Sequence, residues 1–458
     1  MEKQSVIVIF DVGKTNKKLL LFNEDYELVF EASTQLPETQ DEDGFPCEDV
    51  HALTDWVRTS FENILVDERF EVKAVNFSAY GASLVFVDDD LQPLLPLYNY
   101  LKPYPEDLKR KFYAQYGGTS EFSIKTASPV LGSLNSGMQL YRLKHENPEM
   151  YAKTKCALHL PQYLSSILTK MVYSEITSIG CHTNLWDFTG EDYHSWVYEE
   201  GIREKLAPIL RSNTYISIHY LGKSISVGIG MHDSSAALVP YLTSFDDPFV
   251  LISTGTWCIS LNPFNTTPLS QIDLENDCLF YLTYEGRPVK ASRLFAGYEH
   301  EHQSKKLASY YKVPLEQITN IAYNPVATSS SKAGATSETI STRKTSADVN
   351  EIITREIETA EQAYHDLIID IVAKQLISTK HVMKGSEVKR IFIDGGFSKN
   401  SIYMNLMAAV LPGVKIYAAS VAQASAVGAA VVIHSRWNQK PLPTNLIDLN
   451  FYKDATRD

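Results

Sequence analysis

Apolar positions are concentrated in two matching bursts, one opening each half of the chain. Val6-Ile7-Val8-Ile9-Phe10 is an uninterrupted apolar run, the pattern of a strand covered on both faces, and Lys18-Leu19-Leu20-Leu21-Phe22 is its return. Asp11-Val12-Gly13-Lys14-Thr15 forms the tip between them. Phe249 to Ser253, the tip Thr254-Gly255-Thr256 and the return Trp257 to Leu261 repeat the arrangement. Each tip offers backbone N–H groups, hydroxyls and a glycine that lets the chain approach an anion closely. Two unrelated turns would look the same, but their placement favours a duplicated α/β architecture.

Between these hairpins the periodicity predicts a third strand over 27–33 and a helix over Val50 to Leu65, where Leu53, Trp56, Val57, Phe61 and Ile64 share a face. A strand follows over Val72 to Ser78. It ends in the turn Tyr80-Gly81-Ala82-Ser83, at the carboxyl edge where α/β folds bind ligands. Leu84 to Val87 and Pro93 to Tyr100 read as a hairpin across the solvated turn Asp88-Asp89-Asp90. Residues 102–147 are amphipathic and helical, interrupted near Gly117-Gly118 and at Pro129; His159 opens a further helix, and 177–187 is a polar segment expected over the cleft. Gly228 and Gly230 then deliver His232 and Asp233 onto a helix start, Ser234-Ser235-Ala236-Ala237.

In the second half, Ser292 to His300 is a candidate cleft segment, and the Ser/Thr-rich stretch 326–349 reads as an exposed loop. A long helix is predicted over 349–379. The strand Arg390 to Ile393 runs into Asp394-Gly395-Gly396-Phe397-Ser398-Lys399-Asn400, and a small-residue helix covers Ala422 to Ile433. The natural division falls at 246–248, giving domains over 1–245 and 246–458.

Composition narrows the class. At 458 residues the chain is too long for one core. A net charge of −13 argues against general nucleic-acid binding and against an anionic membrane surface. The five cysteines are odd in number and widely spaced, so reduced thiols are expected. No signal peptide and no apolar run of about 18 residues is present, which reads as a cytoplasmic protein.

The candidate chemistry lies in three glycine turns and two acids. Asp11 with Gly13, Lys14 and Thr15 fits the phosphate end of a nucleotide, with Asp11 placed to bind Mg²⁺ through water; a strand-end Asp bonding its own turn is the competing reading. Asp233 at a helix start is placed to take a proton from a substrate hydroxyl, or simply to cap the helix. His232 reads as its neighbour rather than the base. The Asp394–Asn400 turn lacks the spacing of a Walker loop or a dinucleotide fingerprint. It would let a base or ribose lie against Gly395 and Gly396, with Ser398 or Asn400 as hydrogen-bonding groups.

FDVGKTN at 10–16, GMHDSSAA at 230–237, LISTGTW at 251–257, IDGGFSKN at 393–400 and AQASAVGAA at 422–430 together resemble the FGGY family of carbohydrate kinases, in collinear order along essentially the whole chain. The resemblance implies two ribonuclease-H-like domains of the actin and hexokinase type around a cleft for ATP and a sugar. It implies Asp233 as general base, Asp11 as the residue helping to hold Mg²⁺, and Gly13, Lys14, Thr15, Thr254, Gly255 and Thr256 around the β- and γ-phosphates. Gly395, Gly396 and Asn400 would lie by the adenosine. Tyr80, Gly81, Asn99, Tyr100 and His232 are candidate sugar contacts, with Thr177, Ser178 and His182 behind them. The chain departs from pentulose kinases at Ala79-Tyr80-Gly81, at Tyr98-Asn99-Tyr100, and at Gln139 and Arg142. The expectation is an ATP- and Mg²⁺-dependent kinase of a ketose of rhamnulose, fuculose or xylulose type, with a homodimer as the assembly to test. A glycerol or polyol kinase, a non-catalytic sensor and a chaperone-type ATPase are the rivals.

Overall fold

The computed structural model describes residues 3–330, 359–421 and 423–453. It contains two large mixed sheets with the same internal order. In the first, Gln4–Val12 pairs antiparallel with Lys17–Asn23, which pairs with Leu28–Thr34; on its other side Gln4–Val12 runs parallel to Phe70–Ala79, followed by Lys223–Gly228 and Tyr215–Tyr220. In the second, Phe249–Thr254 pairs antiparallel with Cys258–Asn262, then Pro288–Leu294 and Cys278–Leu282, and parallel to Arg390–Gly395, Lys415–Ser420 and finally antiparallel Asp448–Tyr452. Val6 to Phe10 and Phe249 to Ile252 are buried on both faces of their sheets, which explains the unbroken apolar runs.

The helix Val50–Val66 presents Leu53, Val57, Phe61 and Ile64 to the first sheet. Asp49 caps it by accepting from the N–H groups of His51 and Ala52. Ala360–Met383 and Ser401–Val410 cover the outer face of the second sheet. Two further helices fill the space between the sheets. Asp233–Ser244 sends Ala236 and Val239 into a cluster with Ile7 and Ile9, and Leu238 and Tyr241 into one with Phe249 and Leu251. Ala424–Val432, late in the chain, packs on the first sheet rather than the second.

Several expectations change. Leu84–Val87 finds its partner in Cys156–His159, more than sixty residues on, and meets Pro93 through a single bridge. The polar stretch 38–49 folds as a two-stranded insert, Glu38–Gln40 against Pro46–Glu48. The segment 84–206 builds its own aromatic core around Phe112, Tyr141 and Trp196. The Ser/Thr-rich stretch begins in a short helix, Pro325–Ser330; its remainder from 331, the first part of the long helix at 349–358, and Ala422 lie outside the described residues. All five cysteines are free and buried, as expected. No helix among the described residues is long and apolar enough to cross a membrane.

Candidate active site

Both glycine hairpins close through the glycine N–H. Gly13 donates its N–H to the Asn16 carbonyl at 3.0 Å, and Gly255 donates to the Trp257 carbonyl at 2.9 Å. Each tip stands at the carboxyl end of its sheet's central strand, so the duplicated strand order brings the tips to one cleft. Two cavities meet at Gly255. One, of about 370 Å³, is lined by Asp233, Ser234, Gly255, Asp394, Gln423 and Ser425; the other, of about 380 Å³, by Gly255, Gly297, Tyr364, Gly396 and Asn400 among others.

Asp233 is the first residue of its helix and His232 occupies the cap position, where its side chain accepts no backbone N–H of the helix and meets Ser235 Oγ at 3.5 Å through Nδ1. The Asp233 carboxylate accepts from the N–H and hydroxyl of its neighbour Ser234, at 2.6 and 3.2 Å. Asp233 Oδ1 thus satisfies one free N–H of the helix start, and a third of the side chain is still open to the cleft. Burial pushes its carboxyl up to about 6. Asp11 is likewise held at about 6, by burial first and then by the charge of Asp233. Its Oδ2 accepts from Ser425 Oγ at 3.0 Å, so it bonds across the cleft floor and not into its own turn.

His232 is buried, its imidazole pushed down to about 3 by desolvation, so it is neutral near pH 7. Its Nε2 lies 3.1 Å from Cys181 Sγ and 3.2 Å from Asp233 Oδ1, and its backbone N–H donates to Thr177 Oγ1 at 3.0 Å. Thr177 and Ser178 are in turn fixed by the buried Glu175. Gly81 sits under this group, where a Cβ would come within 2.8 Å of Cys181 Sγ and 3.1 Å of the His232 ring. Tyr100 faces the charge of Asp233 and packs against Tyr80 at 5.9 Å between ring centroids. Tyr281, from the second sheet, packs on His232 at 5.4 Å and on His182 at 6.1 Å.

Other candidates have prior commitments. The Thr254 hydroxyl donates to the Asp394 carbonyl and accepts from the Phe397 N–H at 3.0 Å, locking the Gly395-Gly396 turn, in which Gly395 has φ +78°. A Cβ at Gly395 would lie 2.0 Å from the Thr254 carbonyl, so only glycine fits. Ser398 donates back to Gly395 O at 2.8 Å; Asn400 caps the following helix through Tyr403 N and donates to Tyr364 OH at 2.8 Å. Thr15 and Thr256 are exposed at their tips. Asn99 does not join the Asp233 group: it bonds the Pro46 carbonyl and the Leu101 N–H and lines a separate cavity with Tyr98, Lys102 and Arg142. Lys14 and Tyr80 both point to Glu48, at 3.2 and 2.6 Å.

Sequence reasoning missed Lys18, Cys181, Tyr281, Gln423 and Ser425. Lys18 lies opposite Asp11 in the strand register, bonds Gln423 at 2.9 Å and its charge acts on Asp11. That pairing could have been counted from the hairpin. A second cation site is not indicated by Asp273, Cys278 and His381, which also cluster, because the Lys290 ammonium already stands 3.3 Å from Asp273.

The two raised carboxyls give a first prediction. Their folded values lie above the ordinary 3.8, so ionising them costs the folded chain stability above about pH 6, and the cost disappears below 3.8. Asp11→Asn melts higher than wild type at pH 8, and the difference closes as the pH falls to 4. Thermal melts at both pH values check this; a variant less stable at pH 8 would overturn the electrostatic account.

Duplicated sheets facing a cleft, with glycine tips from both and paired carboxyls between them, define a two-lobed α/β protein. Residues 6–239 match the N-terminal domain of the FGGY family of carbohydrate kinases, and residues 246–441 match a carbohydrate kinase FGGY C-terminal domain. The chain belongs to the FGGY family. A rhamnulokinase of Halalkalibacterium halodurans is 23% identical over 268 residues, which are 54% of this chain and 52% of that protein. The chain thus spans about half the length of the curated relatives it matches. The fold is shared with a carbohydrate kinase from Novosphingobium aromaticivorans (TM-score 0.79, 21% identity, 99% of this chain and 95% of that one) and a xylulose kinase from Lactobacillus acidophilus (TM-score 0.78, 14% identity, 99% and 94%).

Proposed function

We propose that this protein transfers the γ-phosphoryl group of ATP to a hydroxyl of a small sugar, with Asp233 as general base. The observation that carries this reading is Asp233 itself: a helix-start carboxylate, raised to about 6, a third of its side chain open, and facing a cavity it shares with the Gly255 tip. In this reading residues 1–245 form the acceptor domain and 246–458 the nucleotide domain. ATP lies across Gly255, its adenosine against Gly396 and Asn400 and its phosphates between the backbone of the Gly13 and Gly255 tips. The backbone N–H groups and Lys18 supply positive potential there, while Thr254 acts by holding the Gly395 turn.

The acceptor oxygen attacks the γ-phosphorus as the bond to the bridging oxygen of ADP breaks, and its proton passes to Asp233 late in the step. A neutral His232 keeps the carboxylate oriented without neutralising it. Asp11 is the residue that would hold Mg²⁺, directly or through water. The fit is supported by its raised carboxyl beside a second acid, a pairing that a cation relieves. When bound, the ion would neutralise charge on the β- and γ-phosphate oxygens.

In this reading the acceptor seats over Tyr80, Gly81, Tyr100, Cys181, His232 and Tyr281, a largely buried layer that is aromatic and neutral, with little charge to grip a sugar's hydroxyls beyond Asp233. That composition, with the rhamnulokinase relatives, supports a ketose of rhamnulose type carrying an apolar end that stacks on the tyrosines. ADP release with Mg·ATP and a panel of 6-deoxyketoses, pentuloses, polyols and glycerol tests it. Turnover confined to the deoxyketoses is expected. A preference for glycerol would replace the acceptor, and ATP binding without turnover on any of them would favour a sensor.

A further inference from the structure

One hydroxyl and two ammonium groups converge on one buried carboxylate away from the reacting pair. Glu48 ends the insert strand Pro46–Glu48, and its side chain is 7% exposed. Tyr80 donates to its Oε1 at 2.6 Å, Lys14 Nζ reaches the same oxygen at 3.2 Å, and Lys17 Nζ lies 2.7 Å from Oε2. Lys14 belongs to the first glycine tip and Tyr80 to the acceptor wall, so one carboxylate joins the two halves of the proposed reaction.

The two lysines are not equivalent. Lys17 is 2% exposed and donates also to the Lys14 carbonyl at 2.9 Å, which fixes it. Lys14 is 24% exposed, and its other contact, Glu38, is loose at 3.8 Å. If Lys14 leaves, Lys17 still neutralises Glu48, so departure does not strand a buried charge, the event that makes breaking such pairs costly. The loop that carries Tyr100 is tied to Glu48 by backbone, Glu48 N–H donating to Leu97 O at 3.4 Å, and by Asn99 Nδ2 donating to Pro46 O at 3.1 Å. An acceptor pressing on Tyr100 therefore moves the carboxylate too.

We propose that Glu48 is a positioning residue that parks the Lys14 ammonium away from the nucleotide and yields it to the phosphates only when an acceptor seats against Tyr80 and Tyr100. This rests on the kinase reading, but its first test does not need turnover. Mg·ATP is titrated calorimetrically, without acceptor, into wild type, Glu48→Gln, Lys14→Met and the double variant. Glu48→Gln frees Lys14 and tightens ATP about fivefold, the size a partly exposed ion pair supports. Lys14→Met leaves this affinity unchanged, because Lys14 is parked, and the double variant matches Lys14→Met.

In turnover with the sugar wild type accepts, Lys14→Met lowers kcat about 10²–10³-fold, as loss of one positioned donor to a developing charge should. A tightening that persists in the Lys14→Met background, or an ATP-only affinity that falls with Lys14→Met, overturns the proposal. If Glu48→Gln fails to fold, the Lys14→Met titration decides alone. Absence of sugar-dependent turnover in wild type would reject the kinase reading, and the ATP titrations would still report on parking.

Discussion

Asp233→Asn lowers acceptor-dependent ATP turnover by about 10²–10⁴-fold, the range of a positioned general base, and leaves ATP affinity unchanged. The amide has the size of the carboxylate and still accepts from Ser234, so the helix start is preserved while the proton acceptor is gone. His232 cannot substitute: burial holds it near 3, and its Nε2 already faces Cys181. The same carboxyl sets the acid limb of the pH profile. Asp233 must be ionised to work, so kcat/KM falls as the pH drops through about 6. In the Asn variant this limb is absent from whatever activity survives. Turnover that survives at a tenth of wild type or better would remove Asp233 as the base, and retention of the acid limb in the variant would assign that limb to another group, Asp11 first.

The fold was legible where a pattern was local. The two buried hairpins, the helix over 50–66 and the Asp233 helix start all follow from runs and spacings inside one segment. Partners chosen at long range were not. Nothing in Leu84–Val87 says that it will pair with Cys156–His159, since four apolar residues fit any open edge. Candidate site residues split in the same way. Asp11, Gly13, Asp233 and Gly255 are marked in the sequence by the local runs and turns they end or open. Tyr80, Lys14 and Asn99 carry flexible or reorientable groups, and distant residues claimed them: Glu48, which belongs to no motif, and the Pro46 carbonyl. Ser425 was read as one small residue of a packing helix, because its contact with Asp11 spans over four hundred residues.

That packing helix makes the second large prediction. Gly428→Ala destabilises the protein by about 1–3 kcal/mol despite the helix-propensity gain of up to about 1 kcal/mol that alanine brings. The added methyl would stand 1.8 Å from the Ala236 carbonyl oxygen and 2.6 Å from its carbon, and both are backbone, so neither can rotate away. The contact exists because Pro240, inside the same helix, has no N–H to give to the carbonyl four residues before it. The helix backbone is open there, and Gly428 fills the place. Asn76 clamps the junction from below, donating to Ala429 O at 2.7 Å and accepting from Gly230 N–H at 3.1 Å. Separating the two helices therefore moves the turn that presents Asp233, so the urea midpoint and kcat fall together. A variant as stable as wild type would show that the helices slide freely past each other; a loss of stability with kcat intact would show that Asp233 is held by its own turn and not by this joint.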